Sequence, residues 1–228
     1  MNQSAIQKDF DEIARLSAKY GGGSDRYEKF LARQIPSRAE TILDVGCGMG
    51  RLAAKLAAPN RTIMGVDLSL EMISQASTLE DAAGQLVFRC GNFLDMEFPP
   101  GGFDCVISSA SLHHMPTEKA IQQMLKLLRP RGTLVIHDLR SSSGALDRAC
   151  LAAAGAVNCI ERFIRSGQLF PEPALREAWA RHGARETYLT MDEVHLLANH
   201  LLPSAKVYRH WFWMYTIVWR EPSPGCRR

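Results

Sequence analysis

No stretch of this 228-residue chain is apolar and long enough to cross a bilayer. The opening residues, Met1-Asn2-Gln3-Ser4-Ala5-Ile6-Gln7-Lys8-Asp9-Phe10, lack both the basic start and the apolar run of an export signal, so a cytoplasmic protein with no membrane partner is expected. An excess of one charge is missing too. The 27 Lys and Arg against 24 Asp and Glu leave a formal charge of +3, and the basic residues are dispersed rather than gathered into the stripe of a dedicated nucleic-acid binder. The six cysteines form no C-x-x-C pair and no His-Cys metal spacing, so no metal site is expected from them. Cys47, Cys90 and Cys105, in or beside predicted strands, read as buried reduced thiols. Internal repeats are also absent, and the length suits one α/β domain.

The most informative stretch is Ile42-Leu43-Asp44-Val45-Gly46-Cys47-Gly48-Met49-Gly50, an apolar strand that runs into three alternate glycines and then a helical segment from Arg51 to Ala58. Without a Cβ the turn can be sharp and a ligand can lie against the backbone, facing the unpaired N–H groups that begin a helix. A dinucleotide fingerprint spaces its glycines G-x-G-x-x-G, and a P-loop ends in Gly-Lys-Ser/Thr. Here the third glycine comes one residue early and Gly50-Arg51-Leu52 follows, which favours a nucleoside ligand without phosphates.

Asp44-Val45-Gly46-Cys47-Gly48-Met49-Gly50 resembles the first motif of class I S-adenosylmethionine-dependent methyltransferases. Val66-Asp67-Leu68-Ser69 resembles the family's acidic second-strand end, Gly91-Asn92-Phe93-Leu94 its third-strand loop, and Phe103-Asp104-Cys105-Val106-Ile107-Ser108-Ser109 its fourth strand. Leu128 to Ile136 resembles the helix, turn and fifth strand that follow. The resemblance covers Thr41 to Asp138 and, more weakly, Leu202 to Pro222. It implies a Rossmann-like, doubly wound α/β fold: a seven-stranded sheet, mostly parallel, with an antiparallel C-terminal edge strand and helices on both faces.

The pattern along the chain agrees. Ile6, Phe10, Ile13 and Leu16 recur at helical spacing before Gly21-Gly22-Gly23, giving an amphipathic N-terminal helix and a joint. A second helix is expected over about Asp25 to Gln34. Strands are expected at Thr41–Val45, Thr62–Asp67, Leu86–Cys90, Phe103–Ser108 and Thr133–Asp138, separated by helices, the order of a parallel sheet. The apolar helical stretch within 140–189 is too long for a connection and reads as an insertion, either a roof over the sheet's C-terminal edge or plain packing on its face. Thr190 with Glu193 marks the N-cap of a helix to about Leu202, ahead of strands at Lys206–Trp211 and Met214–Arg220. The expected division is thus 1–40 helical cover, 41–139 cofactor core, 140–189 insertion and 190–228 closing helix and strands, with the aromatics of 211–219 serving core and edge packing.

The resemblance implies S-adenosylmethionine as cofactor, S-adenosylhomocysteine as product and a small-molecule methyl acceptor; the alternatives are an RNA or protein acceptor, or binding without catalysis. Asp67 would accept hydrogen bonds from the ribose hydroxyls. Asn92 and Phe93, with Leu68 and Met72, would flank the adenine. Gly46, Cys47, Gly48, Gly50 and Ser109 would meet the rest of the cofactor, and Asp44 would fix the loop or the ammonium. The reaction needs positioning more than a catalytic side chain. Where a base is used, His113 and His114 in Ser111-Leu112-His113-His114-Met115 and Asp138 beside His137 are the candidates. No metal-ligand cluster emerges, though these four could in principle meet near one site. Tyr20 is a candidate aromatic cover for the sulfonium, with helix-end packing the preferred alternative.

Overall fold

The computed structural model describes residues 3–21, 26–80 and 84–221. Gly22, Gly23 and Asp25, on which the expected joint and the start of the second helix fall, lie outside them, as do 222–228.

The chain begins with α1 (Gln3–Tyr20) and α2 (Glu28–Gln34), then alternates β1 (Thr41–Val45), α3 (Arg51–Leu56), β2 (Thr62–Asp67), α4 (Leu70–Ala76), β3 (Leu86–Cys90), β4 (Phe103–Ser109), α5 (Thr117–Leu127) and β5 (Leu128–Leu139). Two helices, α6 (Gly144–Ser166) and α7 (Pro173–Gly183), precede α8 (Met191–Leu201), β6 (Lys206–Arg209) and β7 (Met214–Arg220). The sheet has seven strands in the order β3-β2-β1-β4-β5-β7-β6. All neighbours up to β5 are parallel, while β7 runs antiparallel to both β5 and β6. This is the Rossmann-like, doubly wound arrangement expected, its antiparallel strand set one place inside the edge.

Period-2 alternation explains the two faces. Leu43, Val45, Val106, Leu134 and Ile136 point into one core, shared with Ile121 and Met124 of α5 and Val194 of α8. Their neighbours Ile42, Cys105, Ile107 and Val135 point into the other, shared with Leu31 of α2, Leu52 of α3 and Ile73 of α4. The strands feeding the site are thereby buried on both sides and rigid. Asp104 fixes the entry to β1: one carboxylate oxygen accepts the N–H groups of Glu40 and Thr41 and the Thr41 hydroxyl, each at 3.0 Å, while Arg129 holds both oxygens.

The ends of β1, β2, β3 and β7 fall where the sequence puts them. Other boundaries differ. β5 begins at Leu128, because Leu128 pairs with Phe103 ahead of a register shift. α3 stops at Leu56, two residues short of Ala58. β6 stops at Arg209, since Trp211 to Trp213 form the turn into β7, with Trp213 at φ 48°. Trp211 is exposed there and Tyr215 is buried. Cys47 and Cys105 are buried free thiols as expected, but Cys90 is exposed, because it ends the edge strand β3.

The insertion is fastened at its start by Asp147, which accepts bonds from Arg140 at 2.7 and 3.0 Å and from the Ser143 N–H at 3.0 Å. Farther on, Ala178 of α7 joins Ile13 and Ala14 of α1 and Met72 of α4 in a small third core, against which Met49 of the glycine turn packs. Among the described residues no helix is long and apolar enough to cross a membrane.

Candidate functional site

A cavity of about 320 Å³ opens beyond the carboxyl ends of β1, β2 and β4, where strand order reverses and open α/β sheets bind ligands. Its floor is the glycine turn. Gly46 and Gly50 sit at φ +72° and +74°, in the left-handed region that a side chain strains. A Cβ on Gly50 would lie 2.7 Å from the Phe88 ring, so Gly50 serves packing and is not among the lining residues, unlike Gly46, Cys47 and Gly48.

Asp67 spans the turn and the next helix. Its Oδ2 accepts the Gly48 N–H at 2.8 Å, and its Oδ1 accepts the Ser69 N–H at 2.9 Å. Ser69 caps α4 by accepting from the Met72 N–H and donates its hydroxyl to Asp11 of α1 at 2.5 Å. Each Asp67 oxygen keeps a further lone pair for a ligand hydroxyl. Burial raises the Asp67 pKa, and the N–H groups of Ser69 and Gly48 oppose the rise.

Asp44 lines the same cavity, is 1% exposed, and neither of its carboxylate oxygens has a hydrogen-bond partner among the described residues. Burial, and then the charge of Asp67, lift its pKa to about 7. A buried carboxylate left in this way lacks a donor or a cation. The methionine ammonium of S-adenosylmethionine supplies both, and the Asp67 lone pairs suit ribose hydroxyls. The residues present therefore fit that cofactor.

Leu68, Met72, Asn92, Phe93 and Ser109 also line the cavity. Asn92 is partly committed to its own loop, with Oδ1 accepting the Leu94 N–H and Nδ2 donating to Asp95. Of the three candidate catalytic residues only His114 reaches the cavity. His113 sits behind it, its ring 3.8 Å from that of His114 between centroids. Asp138 holds His113 twice, accepting its backbone N–H at 2.9 Å and bonding its Nδ1 at 2.6 Å.

Two residues that the sequence offers as candidates lie away from the site. His137 is apart from His113 and His114: adjacent strand residues face opposite sides, and it bonds the Thr216 hydroxyl at 2.8 Å and packs on Tyr27 and His210. Tyr20 is exposed at the end of α1, outside the cavity.

Other residues were missed. Phe10 of α1 and Trp179 of α7 close the outer wall, and their rings meet edge to face. Phe10 was visible as part of the apolar helical repeat, whereas nothing local marked Trp179. His182, one turn beyond Trp179, is buried next to His114 at 5.0 Å between ring centroids. Burial, reinforced by His113 and His182, pushes the His114 pKa well below the ordinary histidine range and keeps that ring neutral.

Residues 43–136 match the methyltransferase domain family. The chain is 28% identical over 203 residues to an uncharacterized methyltransferase of Mycobacterium tuberculosis, covering 86% of this chain and 94% of that one. It is 33% identical over 134 residues to 27-O-demethylrifamycin SV methyltransferase of Amycolatopsis mediterranei, covering 56% of this chain but 48% of the relative. Among solved structures, the complex of the Haloferax volcanii Trm112 methyltransferase activator with a putative methyltransferase is similar over 97% of this chain and all of that one, with a TM-score of 0.66 at 15% identity. Sequence motifs, strand order and the family match over residues 43–136 agree in supporting a class I S-adenosylmethionine-dependent methyltransferase with S-adenosylmethionine as its cofactor.

Proposed function

We propose that the chain transfers a methyl group to an oxygen, nitrogen, sulfur or carbon nucleophile of a small molecule by in-line displacement. The observation that carries this reading is the outer end of the cavity. Phe10 of α1, Trp179 of α7, His114 and Met115 line this cavity, whose wall is mainly apolar, a setting that suits a small organic acceptor. The Amycolatopsis relative, named for methylating a rifamycin, supports a small-molecule acceptor.

The cofactor supplies an activated methyl group on a leaving sulfonium. Asp44 holds its ammonium, and the backbone at Gly46, Cys47, Gly48 and Ser109 carries the amino-acid end. Asp67 takes the ribose hydroxyls, while Leu68, Met72, Asn92 and Phe93 flank the adenine. Gly50 keeps the turn closed against Phe88. Residues 1–40 form the cover, 41–139 the cofactor core, 140–189 the roof through α7, and 190–228 the closing helix and strands. His114 faces the acceptor, and Asp138 sets the orientation of His113 behind it. Alignment of the acceptor and exclusion of water provide the rate enhancement.

Incubating the purified protein with methyl-labelled S-adenosylmethionine and a cell extract, then separating metabolites from RNA and protein, tests the proposal. Label among metabolites is expected; label confined to RNA or protein contradicts it.

A further inference from the structure

Beside the acceptor end, and reaching it through His114, lies a group of side chains whose mutual placement the proposed methyl transfer leaves unexplained. His113 and His114 follow β4, His182 ends α7, and one ligand atom from each lies within 4.8 Å of the other two. Glu186 joins them, its Oε1 3.3 Å from His114 Nδ1 and 3.7 Å from His182 Nε2. Among the described residues neither His114 Nδ1 nor Glu186 Oε1 finds a hydrogen-bond partner, although the two side chains are only 8% and 3% exposed. A buried nitrogen and a buried carboxylate oxygen left facing each other without a bond are costly to the folded state.

The groups behind the cluster are equally specific. His113 presents Nδ1 to Asp138 at 2.6 Å, and His182 presents Nδ1 to Asp9 of α1 at 3.2 Å. Each carboxylate fixes its imidazole by one nitrogen and leaves Nε2 for another partner, the arrangement found behind metal-ligating histidines. Arg185 neutralises the other Asp9 oxygen at 3.2 Å. Neutral imidazoles in this arrangement offer three lone pairs to one cation.

We propose that His113, His114 and His182 bind one divalent transition-metal ion of the zinc class, with Glu186 as fourth ligand or counter-charge. Three imidazoles and a carboxylate are a donor set for Zn2+, and also for Fe2+, Co2+ or Ni2+, and a poor one for Mg2+ or Ca2+. Metal–nitrogen bonds of about 2.0–2.1 Å place tetrahedral ligands about 3.3 Å apart. Binding would therefore draw the rings together by roughly an ångström from their present spread. Because the ligands come from the β4 end and from the α7 end, with Asp9 of α1 behind one of them, the ion would clasp roof and cover to the core beside the acceptor space. The sequence conceals this site, since about 70 positions separate His114 from His182.

The test is a titration of chelator-treated full-length protein with Co2+ and then Zn2+. One equivalent of Co2+ should give the visible bands of a low-symmetry nitrogen and oxygen site without thiolate charge transfer, and Zn2+ should displace it. A hundredfold excess of Zn2+ over its dissociation constant should raise Tm by roughly 5–10 °C. His182→Ala should abolish both effects while S-adenosylhomocysteine binding persists. His195→Ala, on the exposed face of α8, should change neither. If His182→Ala does not fold, Glu186→Gln, which removes only the charge, should weaken Zn2+ binding at least tenfold. Absence of stoichiometric binding to the wild type, thiolate bands, or unchanged binding in both variants would overturn the proposal.

Discussion

Gly46 and Ser111 approach so closely that a Cβ on Gly46 would stand 2.3 Å from both Cβ and Oγ of Ser111. Ser111 cannot retreat freely, because its hydroxyl is bonded to the Val45 carbonyl and to Ser108, each at 2.8 Å. With φ at +72° as well, Gly46→Ala is strained in two ways. We expect a loss of about 2–4 kcal/mol in urea unfolding and weakened cofactor binding.

Asp44 places a functional charge at odds with stability. Its folded pKa of about 7 lies above the unfolded value, so the folded state holds the proton more tightly. Its contribution therefore favours folding at low pH and is lost as pH rises from about 4 through 7. Asp44→Asn should raise Tm of the ligand-free protein at pH 8 by a few degrees and have little effect near pH 4. The same variant should bind S-adenosylhomocysteine at least about tenfold more weakly, through loss of the ammonium partner. Thermal scans at the two pH values and calorimetry check both halves.

Asp104 titrates in the opposite sense. Burial alone would raise its pKa, but the N–H groups of Thr41 and Glu40 and the Arg129 side chain outweigh burial and hold it below the usual carboxylate range. The stability it provides is thus present above its unfolded pKa and lost as pH falls through the lower folded value. Asp104→Asn should cost about 1–2 kcal/mol at pH 7 in denaturant titrations, and the difference from wild type should shrink below about pH 3.

Thr190 and Glu193 form the reciprocal cap expected from their spacing, with the Thr190 N–H donating to Glu193 at 2.7 Å and the Glu193 N–H donating to Thr190 at 3.3 Å. Thr190→Ala should lower Tm by about 2–4 °C and leave cofactor affinity unchanged.

What could be read in the sequence was governed by local rules. β1 and β2 are short apolar runs closed by a glycine turn or an acidic residue, and Thr190 carries its cap three residues away, so these elements were legible. The walls of the cavity proposed for the cofactor, Asp44 to Gly48 and Asp67, were legible for the same reason: strand C-termini converge by topology. The proposed acceptor end was not. Trp179, His182 and Glu186 lie in a helical insertion whose place over the sheet depends on Ala178 packing against Ile13 and Met72, a contact no spacing encodes. His137 and Asp138 looked like one pair in sequence, yet the pleat of β5 sends them to opposite faces.

The central claim is that the glycine turn and Asp67 together seat the cofactor. Calorimetric titration of S-adenosylhomocysteine into wild type and Asp67→Ala, with NAD as competitor, tests it most directly. The account predicts one-to-one binding to the wild type, no displacement by NAD, and a loss of about ten- to a hundredfold or more in Asp67→Ala. Equal affinity in the variant, or displacement by NAD, would contradict it.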